Sequence, residues 1–143
     1  MKNKLNCILL VDDYESDNFL HKRIIDKACV ANHVEIAMNG REAIELLTKA
    51  KNTDQQYKNC AAPELLFLDI NMPVMDGWEF LEEFRDRDDI QKDKIIIIIL
   101  TTSINPADQK RAEGLTEVSR YCFKPLTLPM LTEIIEEYFP GNQ

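Results

Sequence analysis

Glu64-Leu65-Leu66-Phe67-Leu68-Asp69-Ile70-Asn71-Met72-Pro73-Val74-Met75-Asp76-Gly77 decides how this chain is read. An apolar run stops abruptly at an aspartate, and the turn-forming pairs Met72-Pro73 and Asp76-Gly77 follow it. That order predicts a buried strand that delivers a carboxylate to a loop at its C-terminal end. Upstream, Leu5 to Val11 is nearly all apolar and ends in Asp12-Asp13. Downstream, the β-branched run Ile95 to Leu100 ends in Thr101-Thr102, and the shorter Ser119 to Phe123 ends in Lys124-Pro125. Val34 to Met38 reads as one more short strand. The isoleucine run suits a strand covered on both faces.

Helical signals fill the intervals. From Ser16 to Cys29, Leu20, Ile24 and Ala28 recur at four-residue spacing beside Phe19 and Ile25. Asn39 and Glu42 form a capping-box pattern ahead of Ala43, Leu46, Leu47 and Ala50, a stripe on one helical face. After Gly77, Phe80, Leu81 and Phe84 lie among Glu79, Glu82, Glu83, Arg85, Asp86 and Arg87, whose charges read as a solvated face. Asn105-Pro106 opens a fourth helix, and Thr127 caps a fifth carrying Leu128, Leu131, Ile134, Ile135 and Tyr138. Lys51 to Pro63 is polar and reads as a surface loop. Strands alternating with helices predict an α/β fold, a doubly wound five-stranded parallel sheet, in a single domain over residues 1–143 with no output domain. Ligands of such sheets sit beyond the carboxyl ends of the strands at a switch point.

The 143 residues, 45% hydrophobic and 29% charged, suit one soluble globular domain. A net charge of −8 repels phosphate backbones and anionic headgroups, which disfavours nucleic acid and membrane surfaces as partners. The longest apolar run, six residues, is far below the roughly 20 needed to span a bilayer. The start, Met1-Lys2-Asn3-Lys4 and a short apolar stretch that meets Asp12-Asp13 with no small-residue cleavage site, does not read as a secretory signal. Cys7, Cys29, Cys60 and Cys122 form no C-x-x-C pair, and read as reduced thiols of a cytoplasmic protein.

The strand ends therefore carry Asp12, Asp13, Asp69, Thr101 and Lys124. Each alone has a plain structural use, as a cap, turn or strand terminus. Together, three carboxylates at one edge repel one another and require a cation. Mg²⁺ fits, because it accepts a few carboxylates and keeps positions for water or phosphate oxygens. A carboxylate beside Mg²⁺ and an ammonium group is a nucleophile suited to phosphorus, since both cations stabilise charge on a transferring phosphoryl group.

On these residues the chain resembles the receiver domain of two-component response regulators, in the stand-alone, chemotaxis-regulator-like form. The matching stretches are Ile8-Leu9-Leu10-Val11-Asp12-Asp13, Leu68 to Gly77, Leu100-Thr101 and Phe123-Lys124-Pro125. The resemblance implies a flavodoxin-like (βα)5 fold and phosphorylation of Asp69 by a sensor histidine kinase or histidine phosphotransfer protein. It implies Mg²⁺ ligation by Asp13, Asp69 and the Asn71 carbonyl, with Asp12 acting through water. Thr101 and Lys124 would contact the phosphoryl group, the Lys124-Pro125 bond would be cis, and Tyr121 would be the aromatic switch partner of Thr101. The surface of the fourth helix, fifth strand and fifth helix would bind a downstream protein. Thr102 stands where the family usually has a smaller residue, and would narrow access to Asp69.

His21 and His33 read as ordinary surface or boundary residues, and Trp78 as a packing residue with a second use as a fluorescent reporter. The expected protein is a signalling switch rather than an enzyme. One alternative is a phosphorylation-independent pseudo-receiver. A nucleotide-binding enzyme lacks its glycine-rich loop here, and an aspartate-based phosphatase would carry a second carboxylate where Asn71 stands.

Overall fold

In the computed structural model, residues 4–48, 62–90 and 92–142 are described. Five strands form one parallel sheet: β1 (Leu5–Val11), β2 (Ala31–Ala37), β3 (Leu65–Leu68), β4 (Ile96–Thr101) and β5 (Val118–Phe123). Their order is β2-β1-β3-β4-β5. Five α-helices connect or follow them: α1 (Glu15–Ala28), α2 (Gly40–Thr48), α3 (Gly77–Asp86), α4 (Pro106–Glu113) and α5 (Leu128–Tyr138). The direction of travel across the sheet reverses between β1 and β3, which places the switch-point crevice at Asp12, Asp13 and Asp69. The expected loop from Lys51 to Pro63 lies almost wholly outside the described residues. No helix among the described residues is long and apolar enough to cross a membrane.

Alternation along the strands builds two cores. Leu9, Val11, Leu66, Leu68, Ile97 and Ile99 pack against α2, α3 and α4. Ile8, Leu10, Leu65, Phe67, Ile98 and Leu100 face α1 and α5. Both faces being covered, the central strands are apolar throughout rather than alternating. Each buried Leu, Ile or Phe contributes about 1.5–3 kcal/mol, so the sheet fixes the height at which its polar ends emerge.

Three local expectations change. The buried positions of α1 are Asn18, His21 and Ile25, while Phe19 and Leu20 are exposed. His21 is thus no surface residue: it is 3% exposed beneath the strand-end cluster. Asn18 takes its place in that face because its amide donates to the Asp12 carbonyl at 2.9 Å. At α2, Asn39 Oδ1 accepts from the Glu42 amide at 3.0 Å, but Glu42 reaches back one residue further than a capping box requires, to the Met38 amide. Cys7 is disulfide-bonded, contrary to the reduced-thiol reading, while Cys29 and Cys122 are free thiols.

Candidate phosphoacceptor site

Residue by residue, the strand ends converge. Asp12 follows β1 with its amide bonded to the Ala37 carbonyl, and Asp69 follows β3 with its amide bonded to Val11, each at 3.0 Å. The ladder therefore continues one residue beyond the strands and carries both carboxylates to the same level. Oxygens of Asp12, Asp13 and Asp69 all lie within 4.8 Å of one another. Asp12 and Asp69 are buried and Asp13 is half-buried.

The loop after Asp69 is held by backbone. Gly77 donates to the Ile70 carbonyl at 3.1 Å, and Gly40 donates to the Met75 carbonyl at 2.9 Å. A Cβ on Gly77 would lie 2.7 Å from the Asp69 carbonyl oxygen and from Ile70 Cα, so only glycine permits this approach. Immediately beyond it, Asp76 and Glu79 form a reciprocal capping box that starts α3. Asn71 is exposed, and its amide faces Asp69 Oδ1 at 3.5 Å.

Thr101, fully buried at the end of β4, has a hydroxyl that favours the charged Asp69 carboxylate, and its Oγ1 accepts from the Ser103 amide at 3.2 Å. The Lys124 amide donates to the Thr101 carbonyl at 2.8 Å, which locks the end of β5 to the end of β4. The Lys124-Pro125 peptide is cis, as the resemblance implied. Tyr121 is half-buried, and its hydroxyl donates to the Ser103 carbonyl at 3.1 Å.

Lys124 is the fixed cation of the site. Its Nζ lies 2.6 Å from Asp12, 2.7 Å from Asp17 and 3.4 Å from Asp69. Burial disfavours its charge, but hydrogen bonds to Asp12 and Asp17 and the charge of Asp69 outweigh this and hold the ammonium well above the usual lysine range. Burial raises the Asp69 carboxyl, Lys124 opposes that, and Asp12 adds to the rise. One ammonium among buried carboxylates thus leaves Asp69 short of positive charge.

A hard divalent cation fits this donor set. The three clustered carboxylates supply oxygen ligands, and the uncompensated negative charge supplies the attraction.

All five strand-end residues are brought together as expected. Asp17, together with Asn18 and His21 beneath the site, was missed. Asp17, His21 and Ile25 recur at four-residue spacing, so one helical face was readable as polar near the site and apolar away from it.

Residues 8–136 match the response regulator receiver domain, and the chain belongs to that family. Receiver domains are signalling switches that accept a phosphoryl group from histidine kinases or phosphotransfer partners, and this chain is a phosphoacceptor of two-component signalling. It is similar to the response regulator Rcp1 of Synechocystis, 31% identical over 106 residues that cover 74% of this chain and 68% of Rcp1. The Mn²⁺-bound form of Rcp1 superposes with a TM-score of 0.69 at 30% identity, covering 93% of each chain. A two-component response regulator from Cytophaga hutchinsonii superposes with a TM-score of 0.81 at 30% identity, covering 96% of this chain and 99% of that one. The phosphorylated cyanobacterial phytochrome response regulator RcpA gives 0.72, also at 30% identity, over 96% and 95% of the two chains.

Proposed function

We propose that Asp69 receives the phosphoryl group, that Asp12, Asp13, Asp69 and the Asn71 carbonyl hold Mg²⁺, and that Thr101 and Lys124 contact the transferred group. The observation that carries this reading is the meeting of Asp12, Asp13 and Asp69 oxygens within 4.8 Å, with the Lys124 ammonium 3.4 Å from Asp69 and Thr101 at the end of the adjacent strand β4.

A carboxylate oxygen of Asp69 attacks the phosphorus of a donor phosphohistidine. The new O–P bond forms as the N–P bond breaks, and the imidazole nitrogen leaves with the electron pair. Mg²⁺, when bound, neutralises charge on the phosphoryl oxygens. Lys124 stabilises the same oxygens from the β5 side, and the Thr101 hydroxyl donates to one of them. Thr102, exposed at the rim, narrows the approach of water.

The output begins as electrostatics. A phosphorylated Asp69 is bulkier and more negative, and draws Thr101 toward it. Tyr121, bonded to the Ser103 carbonyl only two residues after Thr101, follows that movement. The surface of α4, β5 and α5 then changes its affinity for a downstream protein. The protein works in the cytoplasm as a phosphorylation-controlled switch and makes no nucleic-acid contacts. A pseudo-receiver acting by constitutive contact alone is not favoured, since every group required for phosphoryl acceptance is in place.

Incubation of the chain with a small phosphodonor and Mg²⁺ tests the reading by intact mass. One phosphoryl group adds to the wild type and none to Asp69→Ala; a wild type of unchanged mass would overturn it.

A further inference from the structure

Lys124 meets three carboxylates, and its two short contacts are to Asp12 and Asp17, not to Asp69. Asp17 stands apart from the clustered trio that suits a metal ion. It lies in the first turn of α1, where the positive end of the helix dipole favours a carboxylate. Its side chain is 28% exposed, whereas the Lys124 side chain it holds is 8% exposed, so the pair closes the lysine off from solvent.

An ammonium has three N–H donors and no acceptor. Nζ bonds Asp17 at 2.7 Å, within the usual 2.7–2.9 Å of a charge-assisted bond, and pairs with the Asp12 carboxylate at 2.6 Å. Its bond to Asp69 is long, at 3.4 Å. The lysine therefore leans toward α1 and away from the phosphoacceptor. A phosphoryl group on Asp69 adds negative oxygens to that carboxylate and pulls the ammonium toward them. Contact with Asp12 is compatible with that displacement, because Asp12 sits at the end of β1, which pairs with β3 beside Asp69. Asp17 is on α1, on the outer side of the lysine, and its bond is the one that stretches.

We propose that Asp17 is a positioning residue that holds Lys124 in its resting place and competes with a phosphorylated Asp69 for the ammonium, thereby weakening the phosphorylated state. This rests on Asp69 being the phosphoacceptor. The Lys124–Asp17 bond stabilises the unmodified form alone, so its removal shifts the balance toward the phosphorylated form.

The test measures affinity for fluoroberyllate, a phosphoryl mimic, in the full chain with saturating Mg²⁺ by calorimetry, together with affinity for Mg²⁺ alone. Asp17→Asn is expected to bind fluoroberyllate about tenfold more tightly than wild type, the scale of one charge-assisted hydrogen bond. Its affinity for Mg²⁺ alone should stay level or fall, because a carboxylate near the cation is lost. Asp17→Glu, which keeps the charge, should lie close to wild type. Asp93→Asn, on the exposed turn preceding β4 at the opposite end of the sheet, makes the same change in net charge and should leave both affinities unchanged. A purely structural role for Asp17 would move both affinities in one direction. Unchanged or weaker fluoroberyllate binding in Asp17→Asn, or an equal gain in Asp93→Asn, would overturn the proposal while leaving the phosphoacceptor intact. A wild type that bound no fluoroberyllate would remove both.

Discussion

Gly77 stands so close to Asp69 that a methyl group on it would fall 2.7 Å from the Asp69 carbonyl oxygen. The residue that begins α3 thereby fixes the backbone of the residue that ends the β3 edge, and the carboxylate's position depends on an atom that is not there. Gly77→Ala is expected to destabilise the fold by about 1–3 kcal/mol through forced backbone displacement. It should also reduce phosphoryl uptake under conditions where it remains folded. Urea titration and intact mass after phosphodonor treatment check the two effects separately.

The crowded carboxylates make the site a charge-storage device at rest. Because burial and Asp12 raise the Asp69 carboxyl, its ionisation opposes folding: the stability is greater when Asp69 is protonated and is lost as pH rises through its folded-state pKa. At neutral pH without metal, Asp69→Asn should therefore raise the melting temperature, by an amount equivalent to about 1 kcal/mol. Mg²⁺ at 100 times its Kd should stabilise the wild type by about 2.7 kcal/mol, and chelation should reverse it. The variant should show a much smaller Mg²⁺ response. A thermal shift of equal size in both proteins would contradict this.

His21 has the opposite sign. Burial lowers its pKa below the ordinary 6.5, partly countered by Asp17. Below pH 6.5 the unfolded chain takes up a proton that the folded chain declines, so stability present above that pH is lost as pH falls. One pH unit lower, the loss is at most about 1.4 kcal/mol. His21→Gln should flatten this part of the profile, read as the urea midpoint between about pH 7.5 and 5.5.

Val74 occupies the left-handed region with φ 66° while 80% exposed. A β-branched side chain there costs about 1–2 kcal/mol, and no core packing compensates for it. Val74→Asn should stabilise the protein by about 1 kcal/mol, measured by chemical denaturation, without altering phosphoryl uptake.

Much of this was legible in the residues. Uninterrupted apolar runs named the buried strands, and the polar residue closing each run named the site, because a parallel sheet brings its strand ends to one edge. Asp69 with Gly77 was readable for the same reason. The buried face of α1 was not. Leu20 and Asp17 compete for helical faces, and apolarity alone favours Leu20; what turns Asp17 inward is the ammonium of Lys124, more than 100 residues away in the chain. Cys7 escaped for a like reason: a disulfide depends on proximity in space, and cysteine spacing carried no sign of it. His21 followed α1.

Helix α4 has a single buried residue, Ala112, and otherwise leans on the Asn105 cap and on Arg111, whose guanidinium lies 4.4 Å from the centre of the Trp78 ring. Its neighbours α3 and α5 bury four and three residues respectively. So little anchorage makes its opening inexpensive relative to global unfolding. Deuterium should enter its amides well before those of the flanking strands, and Trp78, at the other end of that stacking contact, should sense each departure. On the proposed reading, this lightly anchored helix also belongs to the surface offered to a downstream partner.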